Sequence, residues 1–162
     1  MAPAYIDYAL SYKGISPPRD PGDPFRYIDL GCGFGITAIL LAAAYPNAEF
    51  IGADANPGHI ETACRIAEKA GISNITFHCA TFDDPVFTEL PAADYVVATG
   101  VYTWVPEEVR KSLIDLYARL VRKGGAAAIS YNMMRGWLPI LPVQHLLAEA
   151  ATEAQTLDKA GQ

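Results

Sequence analysis

The sequence predicts an α/β fold, a doubly wound, mainly parallel sheet with helices on both faces. Three observations carry this. Tyr27-Ile28-Asp29-Leu30 reads as a short buried strand, Gly31, Gly33 and Gly35 follow at once, and from Ile36 the chain turns strongly apolar and helical; strand, glycine turn and helix open a nucleotide-binding βαβ unit. Strand-like and helix-like segments then alternate until five strands are counted, with no hairpin signal between them, which calls for right-handed crossovers and parallel pairing. A length of 162 residues suits one domain.

Residues 1–24 read as a leader. Pro17-Pro18 and Asp20-Pro21-Gly22-Asp23-Pro24 disfavour both ladder and helix. Tyr5, Tyr8 and Tyr12 recur at spacings of three and four, so Ala4 to Tyr12 suits a short helix with an aromatic face. The leader is either a partly ordered arm or a flap over the ligand site, and the domain proper runs over 25–162. Ile36 to Tyr45 is apolar almost all round, the pattern of a buried helix. Glu49 to Ala53 is the second strand, closed by Asp54. Asn56 suits an N-cap and Pro57 a first helical residue. The helix His59 to Ala70 stops at Gly71, a good C′ residue. Ile75 to Cys79 is the third strand, Asp83 to Leu90 a short connecting segment, and Asp94 to Ala98 the fourth strand. Pro106-Glu107-Glu108 opens a helix with acid in its first turn, and Arg119, Arg122 and Lys123 close it, matching the helix dipole at both ends. Gly124-Gly125 turns into the fifth strand, Ala126 to Tyr131, and Pro142 to Gln155 makes a last helix.

Composition narrows the function classes. The chain is 51% hydrophobic and 19% charged, as packed domains are. A net charge of −6 argues against a nucleic-acid partner, which needs a surplus of Lys and Arg on one face. Cys32, Cys64 and Cys79 have neither disulfide-framework nor zinc spacing, so a reduced, cytoplasmic compartment is expected. The start MAPAYIDYAL lacks the charged and apolar regions of a signal peptide. The longest apolar run is shorter than the roughly 20 residues a bilayer requires, so no membrane partner is expected. The three histidines and three cysteines do not converge on metal-ligand spacing, and no metal is expected. His59 and His78 read as lying away from the active end.

The glycine turn selects between two ligand classes. Dinucleotide enzymes want G-x-G-x-x-G, and the third glycine would fall at Ile36. The spacing present is Asp29-x-Gly31-x-Gly33-x-Gly35, with Asp54 closing the second strand. With the Asp94 strand and the Gly124-Gly125 strand following in order, the chain resembles class I methyltransferases over Phe25 to Asn132. The resemblance implies a Rossmann-like fold and S-adenosylmethionine as cofactor. Asp54 is then placed to accept from both ribose hydroxyls, or else caps the next helix. The backbone of Gly31, Cys32 and Gly33 approaches the methionine part, and the helix N-terminus receives its carboxylate. Asp29 either holds the ammonium group, directly or through water, or binds N–H groups of the glycine turn. Ala55 and Asn56 lie against one face of the adenine. Many members carry an acid just after the third strand; here Cys79-Ala80-Thr81-Phe82 stands there, with acids only at Asp83 and Asp84. Thr81 and the Phe82 backbone are expected to read the adenine edge, with Phe82 packing beside it or in the core. Thr99 and Gly100 follow the fourth strand, and Gly100 leaves room beside the methyl group.

Thr99 to Pro106 and Ser130 to Trp137 resemble a bacterial subgroup whose catalytic domain is usually followed by a methyltransferase regulatory domain, and some of whose members methylate protein lysines. Nothing follows Gln162, and five strands stand where the class has seven, so the chain reads as a truncated or minimal version of a larger enzyme. Methyl transfer is an in-line displacement in which alignment is much of the task. Tyr102 and Trp104 are placed to hold the acceptor and exclude water, although Trp104 serves equally as a staple before the Pro106 helix. Asn132 either orients a polar acceptor or is a turn residue. The acceptor is unknown, a protein lysine or a small molecule being favoured by the resemblance, and no catalytic base is assigned. Two rivals stand beside this reading: a cofactor-binding domain without turnover, and an NAD-dependent oxidoreductase. An exposed sheet edge is expected to favour self-association.

Overall fold

The computed structural model describes residues 1–143, 145–147, 149 and 150. Its first compact unit, Met1–Tyr131, holds one five-stranded sheet. The strands are β1 (Arg26–Leu30), β2 (Glu49–Asp54), β3 (Ile75–Cys79), β4 (Ala93–Ala98) and β5 (Val121–Ile129). The helices are α1 (Pro3–Tyr12), α2 (Ile36–Ala44), α3 (Pro57–Lys69), α4 (Val86–Glu89) and α5 (Glu107–Leu120). All pairings are parallel and the order is β3-β2-β1-β4-β5. The order reverses between β1 and β4, and such a switch point opens a crevice outside the carboxyl ends of the strands.

The strands hold because both faces are covered, which is why they read as nearly continuous apolar runs. On one face Tyr27, Phe50, Tyr95 and Val97 pack with Ile6 of α1 and Ala42 of α2. On the other, Ile28, Leu30, Ile51, Ala53, Val96 and Ala98 pack with Phe87 of α4 and Leu113, Leu116 and Leu120 of α5. The leader is fastened to the first face. The Tyr95 hydroxyl donates to Asp7, the Tyr27 hydroxyl donates to the Met1 carbonyl at 2.7 Å, and the Arg19 guanidinium lies 4.3 Å from the centroid of the Phe25 ring. The expected aromatic face of α1 points outward, with Tyr5, Tyr8 and Tyr12 exposed.

Three expectations are corrected. α2 is not buried all round: Ala38, Ile39 and Ala42 face the sheet, whereas Ile36 and Leu40 are 49% and 66% exposed. A nine-residue helix lying on a sheet can bury only one stripe, whatever its composition. Arg122 and Lys123 do not close α5, which ends at Leu120; both lie in β5, where Arg122 Nε donates to Asp94 at 2.6 Å. The fifth strand accordingly starts at Val121 rather than Ala126, and an irregularity takes up the extra residues between its pairing with Ala93 and its pairing with Tyr95. Ala126, the first residue assigned to it from sequence, does pair with Tyr95.

The second unit, Asn132–Gln162, contains α6 (Met134–Trp137) and helical residues at 141–143, 145–147, 149 and 150. The remainder of the expected Pro142–Gln155 helix lies outside the described residues. No helix among the described residues is long and apolar enough to cross a membrane.

Candidate functional site

The glycine turn is shaped by close approach. Gly31 has φ +75°, and a Cβ there would overlap the Val101 side chain. The Gly31 and Cys32 amides both donate to the Ala53 carbonyl, at 2.7 and 3.0 Å, and the Gly35 amide donates to the Cys32 carbonyl. The turn is thereby locked onto the end of β2. Fewer of its amides face outward than the sequence suggests; the first turn of α2 supplies the remaining donors.

Asp54, at the carboxyl end of β2, is the polar centre of this region. Its Oδ2 accepts from the Gly33 amide and its Oδ1 from the Asn56 amide, each at 2.9 Å. His59 Nδ1 lies 3.1 Å from the same Oδ1. His59 is therefore not away from the active end. It occupies the third position of α3, where the side chain leans back toward the helix N-terminus and so toward the strand end. The Phe34 ring covers the imidazole, with ring centroids 4.5 Å apart. Asn56 caps α3, its Oδ1 accepting from the Gly58 amide at 2.9 Å.

A cavity of about 540 Å³ opens beside Asp54, within the usual size range of small-ligand sites. Gly31, Asp54 and Ala55 form one side, Thr81, Phe82 and Asp83 a second, and Gly100, Val101, Trp104 and the start of α5 a third. From α5 come Glu108, Val109 and Ser112, which share one helical face and were not singled out from sequence. Ala80 and Val105 complete the lining. Asp83 also enters it, although it stands later than the usual acid; a hydrogen bond from the Thr81 side chain lowers its pKa. No residue of the leader lines this cavity.

The other expected residues fall outside the lining. Asp29 is 6% exposed, and burial, opposed by the amino terminus and reinforced by Asp54, pushes its pKa up to about 6. The Cys32 thiol is pushed up to about 12, first by burial and then by Asp29 and Asp54, so it remains neutral. Thr99 and Asn56 do not line the cavity, and Tyr102 faces a separate groove with Arg110 and Lys111 on α5. Asn132 belongs to the second unit.

The Methyltransferase domain family model matches residues 28–125, more than half of the chain and all of the cavity-lining elements. The chain belongs to this methyltransferase family. An uncharacterized protein of Synechocystis sp. is 33% identical over 147 residues, which is 91% of this chain and 29% of that protein. The trans-aconitate 2-methyltransferase of Methylobacterium radiotolerans is 34% identical over 65% of this chain and 37% of that enzyme. Among solved structures, PKMT2 from Rickettsia typhi in complex with AdoHcy superposes with a TM-score of 0.76 at 29% identity, covering 83% of this chain and 25% of that one. The domain thus spans well under half the length of these relatives. The AdoHcy held by PKMT2 is the demethylated form of S-adenosylmethionine, and nothing in these likenesses supports the NAD-dependent alternative.

The residues fit that cofactor. Asp54 offers a carboxylate for hydroxyl donors, Phe82, Val105 and Val109 offer apolar surface for a base, and no atom lies within 4 Å of where a Cβ on Gly100 would stand. When bound, the cofactor supplies an activated methyl group on a sulfonium.

Proposed function

We propose that this domain binds S-adenosylmethionine in the cavity beside Asp54 and transfers its methyl group to an acceptor entering over the carboxyl ends of β4 and β5, either a protein lysine or a small molecule. The observation that carries the reading is the position of the Asp54 carboxylate, at the cavity wall between the glycine turn and the Thr81–Asp83 segment. Asp54 takes the ribose hydroxyls. Gly31 and Gly33 admit the methionine part, with the α2 N-terminus facing its carboxylate. Ala55 and Phe82 border the adenine, whose edge meets Thr81 and Asp83. Asp29 stands behind the turn and acts through its charge. Gly100 leaves space for the methyl group, and Trp104, at the cavity wall, shields it from water. Alignment in a partly dry site is what these side chains contribute to the rate. The trans-aconitate enzyme among the relatives supports the small-molecule acceptor, and the resemblance to lysine-methylating members supports the protein one.

Calorimetric titration with S-adenosylhomocysteine tests the site. The wild-type chain is expected to bind at around micromolar, on the order of −8 kcal/mol, and Asp54→Ala to lose that affinity while remaining folded. Unchanged affinity in the variant would remove the ribose assignment. Transfer of labelled methyl to small carboxylic acids and to unmodified protein, with a full-length relative in parallel, then separates the two acceptor classes.

A further inference from the structure

Asp54 is already crowded. A carboxylate offers about four acceptor positions, and three are taken, by the Gly33 amide, the Asn56 amide and His59. A ribose brings two hydroxyl donors. One of the three present donors therefore has to leave before both hydroxyls can be received. The Gly33 amide is held by the glycine turn and the Asn56 amide by the start of α3, so neither can withdraw without dismantling an element. His59 is a side chain, about a third exposed, with two free torsions and one face toward solvent.

We propose that His59 is a specificity-determining competitor for the ribose position on Asp54: it fills one hydroxyl's place in the free protein and swings out when the cofactor enters. The inference rests on the Asp54–ribose assignment proposed above. In the free protein His59 keeps the carboxylate oriented and partnered, which avoids an unsatisfied charge at the cavity wall. A ligand that offers a single donor fits the fourth place with His59 still in position; one that offers both hydroxyls displaces it.

The competition is expected to depend on pH. An imidazolium donates a charge-assisted bond to a carboxylate, roughly twice as strong as the neutral one, and an ordinary imidazole changes state near 6.5. Other titratable groups face this corner. On the glycine turn Cys32 stays a neutral thiol, Cys64 stands farther along α3, and Asp29 on β1 titrates at about 6. A pH profile of the wild type alone would mix Asp29 with His59, so variants at His59 are needed to separate them.

The test is titration with S-adenosylhomocysteine at pH 8 and pH 5.5 on wild type, His59→Gln, His59→Phe and Asp54→Ala. Gln keeps a neutral donor and removes the charge; Phe removes the donor. His59→Gln is expected to match wild type at pH 8 and to bind about tenfold more tightly than wild type at pH 5.5. His59→Phe is expected to bind more tightly than wild type at both. The His59 imidazole resonances of the wild type should shift on saturation, as the Asp54 contact is lost. Weaker binding by His59→Phe at both pH values, or a Gln-to-wild-type ratio that ignores pH, would overturn the proposal. If Asp54→Ala binds as well as wild type, the ribose assignment itself fails, which is a separate outcome.

Discussion

A buried carboxylate at neutral pH is costly, and Asp29 is one. Its pKa stands at about 6, above the ordinary value of about 3.9, so the folded chain holds the proton to higher pH than the unfolded chain. Its stabilising share is full below about pH 4 and is lost as pH rises through about 6, which leaves the ionised form costing about 3 kcal/mol at neutral pH. Asp29→Asn should therefore raise the melting temperature at pH 7.5, with the gain shrinking toward pH 4; a gain that is constant with pH would mean that charge is not the cause. This acid was legible in the sequence from its distance to Gly31, but its burial was not, because that depends on what β2 and β4 place over it. Asp54, Ala55, Gly100 and Trp104 were legible as cavity residues because a strand end or a turn fixes where the chain points. Cys32 belongs to the same turn, yet its amide is spent on the Ala53 carbonyl and its thiol is largely buried. His59 was missed for a related reason. Its sequence distance from Asp54 says little until α3 is known to start at Pro57 and its third residue to lean back.

Between residue and fold, the glycine turn and its neighbours decide most. Gly35 has φ +68°, and a Cβ there would come within 2.7 Å of the Phe77 ring and 2.9 Å of Ala63. Gly35→Ala combines left-handed backbone strain with overpacking between α2, α3 and β3. It should cost about 2–4 kcal/mol in chemical denaturation; a loss under about 1 kcal/mol would show that Phe77 yields freely. Local signals placed α3 well: Asn56 caps it, Pro57 begins it and Gly71 follows it in the left-handed region. They failed where two signals conflicted. Arg122 and Lys123 look like helix-closing cations, but pairing with β4 pulls them into a strand and turns Arg122 onto Asp94. The α2 composition suggested burial on all sides, whereas the space available on the sheet admits one stripe only.

For the molecule as a whole, alternation of strand and helix was enough to foresee a parallel sheet, since few other topologies satisfy right-handed crossovers. Among the described residues β3 pairs only with β2 and β5 only with β4, so both outer strands keep unpaired backbone groups. We expect the chain to associate with itself as concentration rises, with light scattering giving masses above 17.5 kDa; one mass across the whole range would refute this. The position of β1 at the centre of the sheet also sets a timetable. As the chain is synthesised, β1, β2 and β3 emerge first and can zip together, while the partner on the other side of β1 comes much later: the Arg26 amide waits for Asp94, 68 residues along. Such distant pairing is slow to form. Gly100, Trp104 and α5, which wall the cavity, arrive on that late half, so a nascent domain can be half assembled yet unable to hold its cofactor. A ligand held between the two halves then stabilises only a chain whose second half has docked.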